Sequence, residues 1–135
     1  MSINRNEKDQ LIQQRLEQAK DTEQVVELLI KNEMYPAAVN RIYYGVFYSL
    51  LALGLEYNFE SSKHQQLIGW FNREFIKKKK IEIEYGKILK KAYENRTSGD
   101  YDVFCEFEKE DVLELFENMK RFIRRIEKFI QKDRI

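Results

Sequence analysis

Apolar residues recur every three or four positions through most of this chain, and the recurrence predicts four long helices and one shorter one. The first is expected over about 4–32, with Ile12, Leu16, Ala19, Val26 and Ile30 on one stripe and Glu and Gln opposite. Met34-Tyr35-Pro36 ends it, and Pro36 suits the first turn of the next helix, where its missing N–H leaves no bond unmade. That second helix, about 36–53, is apolar almost all round, from Ala37 and Ala38 through Ile42, Val46 and Leu50 to Leu53. It is expected at the centre of the fold, with Gly54 as its C-cap.

A shorter helix should open at Glu60-Ser61-Ser62-Lys63 with a serine cap and bury Leu67, Ile68, Phe71 and Phe75. The run Lys77 to Lys80 ends it and makes a basic corner. Ile81, Tyr85, Ile88 and Ala92 mark a fourth helix, expected to end at the polar turn Asn95 to Asp102, where Gly99 lets the backbone leave helical space. The last helix, about 109–132, carries Val112, Phe116, Met119, Ile123, Ile126 and Ile130 at bundle-seam spacing. Acidic residues open it and basic ones close it, as the helix dipole favours. No strand pattern competes. The expectation is an all-α fold: a single antiparallel four- to five-helix up-and-down bundle forming one domain over 1–135.

Composition narrows the chemistry. The 135 residues suffice for one domain with a real core. A net charge of +1 gives no global attraction to nucleic acid, so any such binding must come from a local patch. With one Cys (Cys105) and one His (His64), neither an intrachain disulfide nor an ordinary Cys/His zinc site can be built. There is no GxxxxGK(S/T) or GxGxxG phosphate loop. The charged N-terminal residues do not resemble a signal peptide, and no apolar run approaches the roughly 20 residues of a membrane span. A cytoplasmic protein with no membrane association, no metal and no cofactor is expected.

Three places carry more polar chemistry than packing requires. Asn40, Arg41 and Tyr44 interrupt the apolar second helix; a buried Arg needs a partner or a wet cleft, so they form a polar pocket, a subunit interface or a structural hydrogen-bond network. Arg96 and Tyr101 flank Gly99; Arg96 suits a phosphate, unless Asp100 or Asp102 pins it. His64 opens the short helix, as a local hydrogen-bonder or as a general acid/base. Lys77 to Lys80, with Arg73, Lys87, Lys90 and Lys91, form either a phosphate-tracking surface or a solvated face.

In this order the clusters resemble a HEPN domain of the small stand-alone prokaryotic kind. Ala38 to Phe47 resembles its A-x-x-R-x-Y-Y-(A/G)-x-F helix, Lys63 to Phe71 its K-x-H-x-x-(L/V)-I-x-x-F segment, and Arg96 to Asp102 its R-x-x-x-D-Y-D turn. The resemblance implies a helical bundle that often dimerises, and a metal-independent ribonuclease acting as a toxin beside a minimal nucleotidyltransferase antitoxin. The apolar second helix suggests the same homodimer. Active members carry R-x(4–6)-H; here Tyr101 stands where the first such His would fall, and no His lies downstream. The implied catalytic residues are therefore Arg96, Tyr101 and His64, with Asn40, Arg41, Tyr44, Asp100 and Lys63 in binding roles. RNA or nucleotide binding carries over better than cleavage. The alternative is a non-catalytic helical dimerisation module in which the same motif is structural.

Overall fold

The computed structural model describes residues 4–101 and 107–133, with side chains for all of these except 97–101 and 133. Five helices follow in order: α1 (Arg5–Lys31), α2 (Tyr35–Glu56), α3 (His64–Phe71), α4 (Ile83–Tyr101) and α5 (Lys109–Asp133). A π-helical turn, Asn72–Ile76, continues α3. No strand occurs among the described residues.

Ion pairs across the helices show their relative directions. Arg5 at the start of α1 meets Glu56 at the end of α2 at 3.0 Å. Arg121 and Arg125 of α5 reach back to Glu84 and Glu82 beside the start of α4, at 2.6 and 2.7 Å. Lys20 and Glu23 of α1 meet Glu127 and Arg124 of α5 at 2.5 and 3.3 Å. Neighbours in each of these pairs run antiparallel, as the bundle expectation required.

The stripes read from the sequence are the core. Ile12, Leu16, Ala19, Val26 and Ile30 of α1 are buried, as are Val112, Phe116, Met119, Ile123, Ile126 and Ile130 of α5. Each large side chain among them contributes about 1.5–3 kcal/mol by leaving water. Helix α2 lies at the centre, packed by α1, α3, α4 and α5. Gly45 permits the closest approach: a Cβ there would stand 2.1 Å from Met119 Cε. Two polar side chains enter this core and satisfy themselves locally, Thr22 Oγ1 donating to Gln18 O and Ser49 Oγ to Val46 O, both at 2.7 Å.

Several expectations need correction. Gly54 does not end α2; it is buried inside the helix against Leu67, and Tyr57 is the cap. No serine side chain caps α3. Its N-cap is Lys63, whose amide donates to Ser61 Oγ at 3.3 Å. Ile81 is buried but precedes α4, and Leu89 carries that helix's buried stripe with Ala92. The backbone stays helical through Gly99 to Tyr101, so no turn opens at Gly99. A glycine inside a helix costs only about 1 kcal/mol, too little to force a break. Finally, the apolar surface of α2 is consumed inside one bundle, so it gives no argument for a dimer.

Candidate functional site

Three helices converge on Tyr43. It projects from the middle of α2 and is wholly buried. Its hydroxyl is hydrogen-bonded to Nδ1 of His64, the first residue of α3. From the far end of α4, the Arg96 guanidinium lies with Cζ 5.6 Å from the Tyr43 ring centroid and 4.2 Å from that of Tyr93. Tyr93 precedes Arg96 by three positions and so shares its helix face. Its hydroxyl accepts from Gln65 Nε2 at 3.4 Å, which ties α4 to α3.

The imidazole is held by aromatic faces. It stacks on Phe47 with centroids 4.0 Å apart and planes at 16°, lies 5.5 Å from Tyr43, and meets the edge of Tyr44 at 6.3 Å. Arg41 extends the cluster outward, its guanidinium 4.4 Å from the Tyr44 centroid and its Nη2 donating to Asn40 Oδ1 at 3.4 Å.

Burial and one fixed charge set the protonation states. Burial pushes the Tyr43 hydroxyl well above the usual phenol range, against the opposing pull of Arg96. Tyr43 therefore keeps its proton. Burial first, and then the Arg96 charge, hold His64 below its ordinary value of 6.5, so its ring is neutral at pH 7. Tyr43 can give or take the shared hydrogen bond, and His64 Nε2 correspondingly serves as donor or acceptor. The Gln65 hydrogen bond first, then Arg96, draw the Tyr93 hydroxyl below the usual phenol range.

Arg96 is the unusual member. No carboxylate among the described residues pairs with it, and its buried Nε has no hydrogen-bond partner there. An unpaired buried donor on a charged group costs about 1–3 kcal/mol or more. A ligand oxygen at that nitrogen would remove the cost, and a planar guanidinium matches two oxygens of a phosphate.

The sequence-derived candidates divide. His64, Arg96, Tyr44, Arg41 and Asn40 come together around Tyr43. Lys63 is exposed beside His64. Asp100 and Tyr101 lie in the last turn of α4, but their side chains fall outside the described ones, and Asp102 falls outside the described residues. Residue typing missed the roles of Tyr43, Phe47, Gln65 and Tyr93. Tyr43 and Phe47 lie inside the Ala38–Phe47 segment but carry no site role in the sequence reading, while Tyr93 is legible from its i−3 spacing to Arg96. No group of three or more His, Cys, Asp or Glu among the described residues is placed to hold a metal.

An all-α bundle with a cluster of Arg, Tyr and His side chains where three helices meet defines the class. The chain belongs to the HEPN domain family, whose model matches residues 12–129. It is similar to a "UPF0332 protein" of Thermotoga maritima, 40% identical over 126 residues, covering 93% of this chain and 96% of that one. It is also similar to two proteins of Methanocaldococcus jannaschii. "Putative toxin MJ0142" is 32% identical over 115 residues, covering 85% of this chain and 78% of that protein. "Putative toxin MJ0605" is 33% identical over 121 residues, covering 90% of each. No helix among the described residues is long and apolar enough to cross a membrane.

Proposed function

We propose that this chain is an RNA- or nucleotide-binding HEPN protein working as a homodimer, the toxin-like member of a pair whose other member is a minimal nucleotidyltransferase. The names of the Methanocaldococcus relatives support the toxin-like character. The observation that carries the binding reading is the half-buried Arg96 guanidinium, with an unsatisfied Nε and no carboxylate partner among the described residues. Arg96 binds a phosphate there. The added negative charge offsets the Arg96 field on His64 and raises its proton affinity, so the imidazole can accept and return a proton. If the chain cleaves RNA, Arg96 stabilises the phosphorane and His64, held by Tyr43, moves protons to and from the ribose, with no metal in the step. Tyr101 and Asp100 remain candidates for contacts from the end of α4.

The test is incubation of the protein with total RNA, with and without EDTA, beside binding of a labelled RNA. Arg96→Ala is expected to weaken binding tenfold or more, as for a charge-assisted contact of about 1.5–3 kcal/mol. Any cleavage should survive chelation; its loss in EDTA would rule out the metal-free step. One observation favours a second reading, a non-catalytic interaction module. Arg96 lies over two tyrosines and joins α2 to α4 in a cation–π clamp. In that case Arg96→Ala lowers stability and leaves RNA affinity unchanged.

A further inference from the structure

At the opposite end of α4 from Arg96, two basic segments far apart in sequence meet around one cleft. Lys80 follows the π-helical turn; Arg125, Lys128 and Lys132 come from the last turns of α5. They line an open cavity of about 610 Å³ with a single carboxylate, Glu82. That volume falls within the range of small-ligand sites.

The charges do not cancel within the cleft. Arg125 grips Glu82 with both ends of its fork, Nε to Oε1 at 2.7 Å and Nη2 to Oε2 at 3.0 Å. This pairing is the main reason the Glu82 carboxyl is held below its usual range. The one acid is thereby committed to the one arginine. Lys80, Lys128 and Lys132 have no salt-bridge partner among the described residues, so three lysines line one cavity; Lys80 Nζ also lies 5.9 Å from the Phe75 ring centroid, and Lys128 adds a smaller pull on the Glu82 carboxyl. The walls between them are aromatic. Arg125 Cζ lies 6.0 Å from the Tyr85 ring centroid and 5.8 Å from that of Phe129.

We propose that this cleft is a second phosphate-binding site, which takes the backbone of a single RNA strand and is separate from the Arg96 site. Three lysines without a salt bridge, in a lining whose cations outnumber its one carboxylate, suit successive phosphates, and aromatic rings beside them suit bases, which an acidic peptide lacks. The start of α4, at the cleft, and Arg96 are separated by about 20 Å of helix at 1.5 Å per residue. One strand contacting both would therefore be captured at the cleft and oriented at Arg96. The proposal rests on the RNA reading above, but its phosphate chemistry can be tested without it.

The first arm is titration of tripolyphosphate into ¹⁵N-labelled protein. Wild type and Arg96→Ala should both show saturable shifts at Lys80, Glu82 and Lys128 amides, and Lys128→Gln/Lys132→Gln should lose them. The second arm is anisotropy of a labelled single-stranded RNA across a salt series. The double variant should bind roughly tenfold or more weakly near physiological salt, and the slope of log K against log salt should fall by about 1.4, the release expected for two single-strand contacts. Lys8→Gln/Lys31→Gln removes the same charge elsewhere and should change neither.

Unaltered affinity and slope in the Lys128/Lys132 variant would overturn the cleft proposal. So would an equal loss in the Lys8/Lys31 variant, which would mean that only net charge matters. Poly-glutamate binding as tightly as RNA would overturn it as well. Failure of the Arg96 reading looks different: Arg96→Ala then leaves RNA affinity intact while the cleft variant weakens it.

Discussion

The two cationic regions of this protein differ in how their charge is held. Around Arg96 one guanidinium is half-buried against Tyr93 and Tyr43, with no carboxylate among the described residues to neutralise it. At the Lys80–Lys132 cleft the cations are more numerous but exposed, and the arginine is spent on Glu82. A half-buried charge acts strongly over a few ångströms, and after burial itself the Arg96 charge is the second cause of the depressed His64. Exposed charges are screened within about 10 Å and add little to stability. In the function proposed above, number of charges would give capture and burial of one charge specificity.

The largest effect should separate the regions by stability. Phe47 is buried and carries His64 on its face. Phe47→Ala should cost about 3–5 kcal/mol in chemical denaturation, whereas Lys128→Ala should stay within about 0.5 kcal/mol. Comparable losses would erase the distinction between a built site and a solvated one.

Tyr43→Phe keeps the ring and removes one hydroxyl. It should cost about 1 kcal/mol, since His64 Nδ1 loses its partner. A variant as stable as wild type would mean that the hydroxyl does not hold the imidazole.

The smallest effect concerns pH. His64 binds its proton less readily folded than unfolded. Below its ordinary value of 6.5 the unfolded chain takes up a proton that the folded chain refuses, so stability falls as pH drops, and levels off once the folded ring also protonates. Denaturation midpoints measured from about pH 7.5 down to about pH 5.5 should decline in wild type and decline less in His64→Gln. The lysine cleft holds no histidine, so this decline is a test of the Tyr43 region alone. Equal slopes in wild type and His64→Gln would show that the ring is not desolvated by its aromatic cradle.

Much of the fold was legible because helix periodicity is local. The stripes of α1 and α5 and the all-round apolar character of α2 each follow from residues a few positions apart, and each matched the burial found. The misreadings came from treating glycine and serine as punctuation. Gly54 and Gly99 both lie inside helices, since the penalty for a helical glycine is smaller than what continued packing or backbone hydrogen bonding returns. Apolarity of α2 also suggested a partner subunit where the protein's own helices supply the cover.

The chemistry was legible in its residue types and hidden in its partners. Arg96 and His64 could be singled out along the chain, yet nothing in their spacing says that a tyrosine 21 residues before His64 joins them. Lys80 and Lys128 likewise belong to separate helical patterns, and only the antiparallel return of α5 to the start of α4 brings them to one cavity. Amphipathic period is written in neighbouring residues, so the linear chain suffices for helices, their buried faces and the family. Protonation state, cation pairing and the cleft depend on which side chains exclude water from one another, and that is decided when the helices pack.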